Sequence, residues 1–205
     1  MEDLYYEKLF NIKTTGEQQG FYESHHYNRY EATSYLALET LFKEYCVNDK
    51  DSVVDFGCGK GRLPFYINYY YNSKVTGIEM NNNYFEICIN NKKSYLKHHN
   101  KSRDKIEFIN TFAEEYQISN SDNKFYFFNP FSLELLQKVM ARILDSYYEH
   151  PRSILLFFYY PSDSYLSYLT SVPEMEFLDE IPCGDLFPGN DPRETIMIFE
   201  LPYPM

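Results

Sequence analysis

Two kinds of hydrophobic run alternate along this chain. Short unbroken apolar stretches are followed by longer segments whose apolar positions recur every three or four residues. Ser52 to Asp55 reads as a short buried strand, and Lys74 to Glu79, Ile106 to Asn110, Lys124 to Asn129 and Ser153 to Tyr160 repeat the type. The last two are apolar on both faces, as expected of strands covered by helices on two sides. Helical spacing links Tyr35, Leu38, Leu41, Phe42 and Tyr45, then Leu63, Phe65 and Ile67, where Pro64 is tolerable in a first turn. A polar helix is predicted from Asn82 to about His98. Another carries Leu133, Leu136, Met140, Ile143, Leu144 and Tyr147. Strand and helix alternate from Ser52 to about Thr170, which predicts a parallel sheet with right-handed crossovers. Glu176 to Ile181 and Glu194 to Leu201 break the rhythm: a Pro/Gly/Asp loop with no helix joins them, so they should form an antiparallel hairpin at one edge. Residues 1–30 lack clear periodicity and are expected to be an N-terminal extension or lid. No repeat or linker divides 31–205, which should form one domain.

Composition sharpens this only in places. The longest unbroken apolar stretch, Ile154 to Tyr160, is seven residues. A membrane helix needs about twenty, so none is expected. The start Met1-Glu2-Asp3 is acidic and has no apolar signal region, so a cytoplasmic protein is expected. Nineteen Lys and Arg against 30 Asp and Glu give a net charge of −11, a surface that repels phosphate backbones and makes nucleic acid an unlikely partner. Cys46, Cys58, Cys88 and Cys183 lie far apart with no CxxC pair, so reduced thiols are expected in place of a disulfide framework or zinc site. His25-His26 and His98-His99 are adjacent doublets without metal-ligand spacing and are expected on the solvated surface; no metal is called for. The 22 Tyr and 17 Phe reflect compositional bias, so a single aromatic carries little weight. Glycine is informative because it is scarce: three of the eight fall at Gly57, Gly59 and Gly61.

Those glycines sit in Val53-Val54-Asp55-Phe56-Gly57-Cys58-Gly59-Lys60-Gly61-Arg62, where a strand runs into a helix. Such a turn lets a ligand approach backbone amides and the positive end of the helix. A P-loop requires Ser or Thr after its Gly-Lys, and Gly61 stands there. A dinucleotide fingerprint requires Gly or Ala where Arg62 stands. Both readings fail. What remains is Asp-x-Gly-x-Gly-x-Gly, followed eighteen residues after Gly61 by Glu79 at the end of the second strand, where a carboxylate can accept both hydroxyls of a ribose. Glu79 taken alone reads equally as a solvated strand-end carboxylate.

This pattern resembles motif I of the class I S-adenosylmethionine-dependent methyltransferases, and the likeness extends from about Glu31 to Leu201. It implies a Rossmann-like seven-stranded α/β sheet, mostly parallel with an antiparallel last strand and helices on both faces. It implies Asp55 beside the cofactor's ammonium group, Gly57, Cys58, Gly59 and Gly61 along its methionine end, Glu79 on the ribose and Met80 on the adenine. Phe112 and Ala113 stand where the family places Asp-Ala beside adenine, so their backbone amides would meet the ring. Phe128-Asn129-Pro130-Phe131 resembles the Asn-Pro-Pro-Tyr of amino-group methyltransferases, without the second proline and with the aromatic one residue early. By that likeness Asn129 and the Pro130 carbonyl hold a target amine. Asn-Pro also reads as a plain strand end and turn. Thr33 resembles a segment that folds over the cofactor's carboxylate in such enzymes, and reads otherwise as a cap or first-turn residue of the helix after it. The implied reaction is methyl transfer from S-adenosyl-L-methionine to a small-molecule or protein acceptor, releasing S-adenosyl-L-homocysteine. The alternative is a cofactor-binding sensor or partner protein that performs no chemistry.

Overall fold

In the computed structural model, which describes residues 2–16, 31–99 and 104–203, seven strands form one sheet in the order β3-β2-β1-β4-β5-β7-β6. They are β1 (Ser52–Phe56), β2 (Lys74–Ile78), β3 (Ile106–Ile109), β4 (Lys124–Phe128), β5 (Ile154–Tyr159), β6 (Glu176–Pro182) and β7 (Thr195–Leu201). β1 to β5 pair in parallel. β7 runs antiparallel to both β5 and β6, so the terminal hairpin closes one edge as the sequence predicts. Its connection is not wholly irregular, because Gly184–Leu186 forms one 3-10 turn.

The crossovers are α3 (Arg62–Tyr71), α4 (Asn82–Tyr95), α5 (Leu133–Glu149) and α6 (Asp163–Leu169). Alternate side chains of the central strands divide between two cores. Val53, Tyr126, Phe157 and Tyr159 face α3 and α4. Val54, Phe56, Phe125, Phe127 and Phe158 face α5 and α6, with the Phe127 and Phe158 rings stacked at 4.7 Å. Double-sided burial explains why β4 and β5 read as unbroken apolar runs.

The aperiodic N-terminal region contains a helix, α1 (Glu2–Phe10), that the sequence reading missed. Tyr6 and Phe10 are buried, and the Tyr6 ring stacks on Tyr35 of α2 (Tyr35–Glu44) at 4.1 Å. The apolar stripe of α1 is so short that its aromatics blend into the polar flanks, and only α2 and α3 give it a partner. Residues 17–30, including His25, Tyr27, Arg29 and Tyr30, lie outside the described residues, and with them the second half of the expected lid. Among the described residues no helix is long and apolar enough to cross a membrane.

The docking of α1 has a direct test. Phe10→Ala removes a fully buried ring between α2 and α3 and is expected to lower unfolding free energy by about 3–5 kcal/mol, as for other buried Phe truncations. Urea denaturation checks it; a loss below about 1 kcal/mol would mean that α1 is not part of the folded core.

Candidate active site

The C-terminal ends of β1, β2 and β4 converge on the glycine turn. Gly57, Gly59 and Gly61 all have left-handed backbones, with φ of 74°, 55° and 86°. A side chain at Gly57 would also strike the Pro130 ring, 2.7 Å from an ideal Cβ, and one at Gly61 would strike Phe108 at 2.8 Å. Glycine is thus required twice over at these two positions. The Gly57 contact joins the turn to Asn129-Pro130.

Four amides of the turn are already engaged. Gly57 N and Cys58 N both donate to Ile78 O at 3.0 Å, Gly61 N donates to Cys58 O, and Gly59 N donates to Glu79 Oε2 at 2.9 Å. Strand β2 and the carboxylate after it thus take three of the turn's amides, those of Gly57, Cys58 and Gly59. Lys60 does not face a phosphate site either, since its amine donates to the carbonyls of Thr15 and Gly16.

Two buried carboxylates meet here instead. Glu79 is 7% exposed, and its other oxygen accepts from Asn81 N at 2.7 Å, so it is not a solvated strand end. Burial raises its pKa to about 7 against the opposing pull of those backbone donors. Asp55 is 5% exposed; burial first, and then repulsion from Glu79, raise its pKa to about 8. Among the described residues none donates a hydrogen bond to Asp55. A turn with four of its amides engaged, facing two carboxylates, attracts a cation and hydroxyl donors and repels phosphate.

Other expected residues gather around this point. Thr33 is buried and its hydroxyl lies 2.9 Å from that of Tyr126, the β4 neighbour of Asp55. It does not cap α2: Ser34 does, accepting from Leu36 N. Asn129 carries a left-handed backbone at φ 38° just beyond β4, and both it and Pro130 are half-buried. Met80 is half-buried, with Asn110 donating to its carbonyl and to that of Glu79. Ala113 is buried while the Phe112 side chain is 46% exposed. Cys58 contacts Cys88, whose thiol donates to Gly59 O at 3.1 Å. All four cysteines are free thiols, as the sequence spacing leads one to expect, although the fold brings Cys58 and Cys88 together.

Arg62 has a role that the sequence reading missed. It is buried, donates to Asp3, Thr14 and the Thr33 carbonyl at 3.0–3.1 Å, and sits 4.5 Å from the Tyr35 ring centre. The signal available was its failure to match the dinucleotide pattern. A long cation at the first helical position must find acceptors, and the N-terminal segment supplies them. His99 also differs from expectation, lying half-buried beside Tyr69 and Tyr95. No metal-holding group of His, Cys, Asp and Glu occurs among the described residues.

This sheet order, with a glycine turn and a carboxylate at the next strand end, defines a Rossmann-like nucleoside-cofactor enzyme. The sequence model of a methyltransferase-domain family matches residues 32–151, and the chain belongs to that family. It is an enzyme of methyl transfer whose cofactor is S-adenosylmethionine, and the residues present fit that molecule. Asp55 and Glu79 offer acceptors for an ammonium and a ribose, and the cradle at Gly57 and Gly61 admits close approach. The fold is similar to that of a human methyltransferase 10 domain containing protein (TM-score 0.61, 12% identity, covering 99% of this chain and 95% of that one). It is also similar to an RNA methyltransferase from Salinibacter ruber in complex with S-adenosyl-L-homocysteine (0.55, 15%, 86% and 96%). A third similar structure is an rRNA methylase from Streptococcus thermophilus (0.54, 12%, 86% and 100%). A search of curated proteins finds no match.

Two outcomes are expected of this electrostatics. Both carboxyl pKa values lie above their unfolded values near 4. The folded, ligand-free protein therefore holds protons that the unfolded chain releases, and this contribution to stability is lost as pH rises toward 8. Cofactor binding draws on the ionised forms, so affinity for S-adenosylhomocysteine should rise between pH 6 and 8.5 with proton release. Titration calorimetry in buffers of different ionisation enthalpy measures this; a flat profile would mean the pair is already ionised. Separately, NAD and NADP should give no thermal shift where S-adenosylhomocysteine gives one, because their pyrophosphate would face both carboxylates; equal stabilisation by NAD would contradict the site's polarity.

Proposed function

We propose that the protein methylates an amine nitrogen on a small-molecule or protein acceptor, with the Asn129 side-chain oxygen and the Pro130 carbonyl accepting the amine's N–H groups. The observation that carries this reading is the contact of Pro130 with Gly57, which sets the Asn-Pro pair directly against the cofactor turn. The left-handed backbone at Asn129 supports it, since strained residues concentrate at functional sites and Asn tolerates this conformation.

When bound, S-adenosylmethionine supplies an electrophilic methyl group on sulfur, and loss of that methyl to nitrogen leaves S-adenosylhomocysteine. The chain's own task is then alignment and exclusion of water. Asp55 takes the ammonium group and Glu79 the ribose hydroxyls. Gly57, Cys58, Gly59 and Gly61 lie along the methionine end, with Thr33 near its carboxylate. Met80 packs on the adenine, and the amides of Phe112 and Ala113 meet its edge. Asn129 directs the amine lone pair towards the methyl carbon, and the product's extra proton passes to solvent.

Two of the similar folds act on RNA, but a net charge of −11 counts against a phosphate-backed acceptor here. That overall charge favours a small-molecule or protein acceptor.

Asn129→Ala should lower turnover on the order of a hundredfold, the usual loss for a positioned polar group acting in the transition state. Affinity for S-adenosylhomocysteine should change less than threefold, about 0.6 kcal/mol. A radiolabelled methyl-transfer screen against metabolite pools and cell extract identifies the acceptor first. Parallel loss of cofactor binding and turnover, or an ether, ester or thioether product, would refute the amine-holding role. Methylated RNA as the main product would replace the acceptor class.

A further inference from the structure

The aromatic residue that follows Asn129-Pro130 does not face the acceptor. Phe131 is buried in the α5 side of the core against Phe127, and its carbonyl accepts from the Tyr165 hydroxyl. The neighbouring strand supplies a different ring. β4 and β5 are paired through Phe128 and Tyr159, so Asn129 and Tyr160 are the next residues beyond the paired ends. Both have left-handed backbones, at φ 38° and 52°. For asparagine this is tolerated; for tyrosine it is an outlier that persists only where its surroundings impose it.

Those surroundings are visible. Tyr160 N donates to Thr195 O at 2.9 Å, its hydroxyl donates to Asp191 Oδ2 at 3.2 Å, and the Arg193 guanidinium lies 5.3 Å from its ring centre. Arg193 is itself paired with Asp191 at 2.7 Å. The strained backbone also redirects the side chain. Strand alternation would send Tyr160 to the face opposite Tyr159, yet it packs on the same α3-side core, with Phe128 beside them. Tyr160, its ring half-buried, is thus the residue after β5 that flanks Asn129 across the paired strand ends at the sheet's C-terminal edge.

We propose that Tyr160 is the specificity-determining residue for the acceptor, its ring forming the wall against which the carbon framework bearing the methylated nitrogen lies. This rests on the amine-holding reading of Asn129. A flat aromatic wall favours amines on a flat or apolar framework over aliphatic polyamines. The connection between β6 and β7, through Asp191 and Arg193, sets the angle of that wall.

The test measures binding of four probes to the protein–S-adenosylhomocysteine complex by calorimetry: benzylamine, adenosine, n-butylamine and spermidine. At least one aromatic probe should bind more tightly than both aliphatic ones. Tyr160→Ala should weaken that probe tenfold or more, Tyr160→Phe should keep it within threefold, and both should keep S-adenosylhomocysteine affinity within twofold. Tyr160→Asn retains a residue suited to the left-handed backbone and removes the ring; it should lose the probe while its melting temperature does not fall. Failure of both aromatic probes to bind, tighter binding of spermidine, or unchanged probe affinity in Tyr160→Ala overturns the proposal. So does loss of S-adenosylhomocysteine binding in both Tyr160→Phe and Tyr160→Ala, which would make the ring structural. The amine reading fails separately, through unchanged turnover in Asn129→Ala or a product that carries its new methyl on oxygen or sulfur.

Discussion

Much of this molecule is organised around two carboxylates that cannot comfortably ionise together. Asp55 lies near the end of β1 and Glu79 follows β2, adjacent parallel strands, so the sheet itself holds both, buried, near each other. Burial and mutual repulsion raise their pKa values to about 8 and 7. Glu79 is partly stabilised by amides of the glycine turn and of Asn81, but Asp55 has no such donor among the described residues. The folded, ligand-free chain therefore holds protons on this pair, which a cofactor bearing an ammonium group and ribose hydroxyls displaces. Binding and neutralisation are one event.

The same constraint explains the polarity of the glycine turn. Turns of this kind often serve phosphates because their amides point outward at a helix N-terminus. Here Ile78 O and Glu79 take the amides of Gly57, Cys58 and Gly59, and Lys60 is turned towards the N-terminal segment. The glycines are kept for conformation and for space. Their left-handed backbones and the approach of Pro130 and Phe108 leave no room for a Cβ at Gly57 or Gly61. Backbone shape is shared with phosphate-binding turns, and charge distribution separates them.

The N-terminal segment is tied to this turn by its two cations. Lys60 holds the carbonyls of Thr15 and Gly16, and Arg62 holds Asp3, Thr14 and the Thr33 carbonyl. Thr33 in turn meets Tyr126 beside Asp55. Residues 3, 14–16 and 33 thus converge on the start of α3, so a change in that segment reaches the cofactor site through a short chain of buried hydrogen bonds. The aromatic stack of α1 on α2 supplies the apolar half of the same attachment.

The sequence by itself determined the sheet and its polarity. Unbroken apolar runs alternating with helical stripes can only be satisfied by strands covered on both faces, and a terminal pair without a helix between must fold back antiparallel. It also determined the glycine turn and Glu79, because both are encoded by residue type at fixed spacing. What depended on contacts distant in sequence was decided by tertiary structure alone. α1 is too short to show a stripe and exists by docking on α2 and α3. Glu79 looked like a solvated strand end until β1 and its turn closed over it. Arg62, known from spacing only as a mismatch, became a buried hub because the fold brought three acceptors to it, the Asp3 carboxylate, the Thr14 hydroxyl and the Thr33 carbonyl. Tyr160 was one aromatic among many in a tyrosine-rich chain, and its left-handed backbone beside Asn129 follows from the pairing of β4, β5 and β7. Spacing encodes local geometry; burial, charge coupling and strain arise only when separate segments meet.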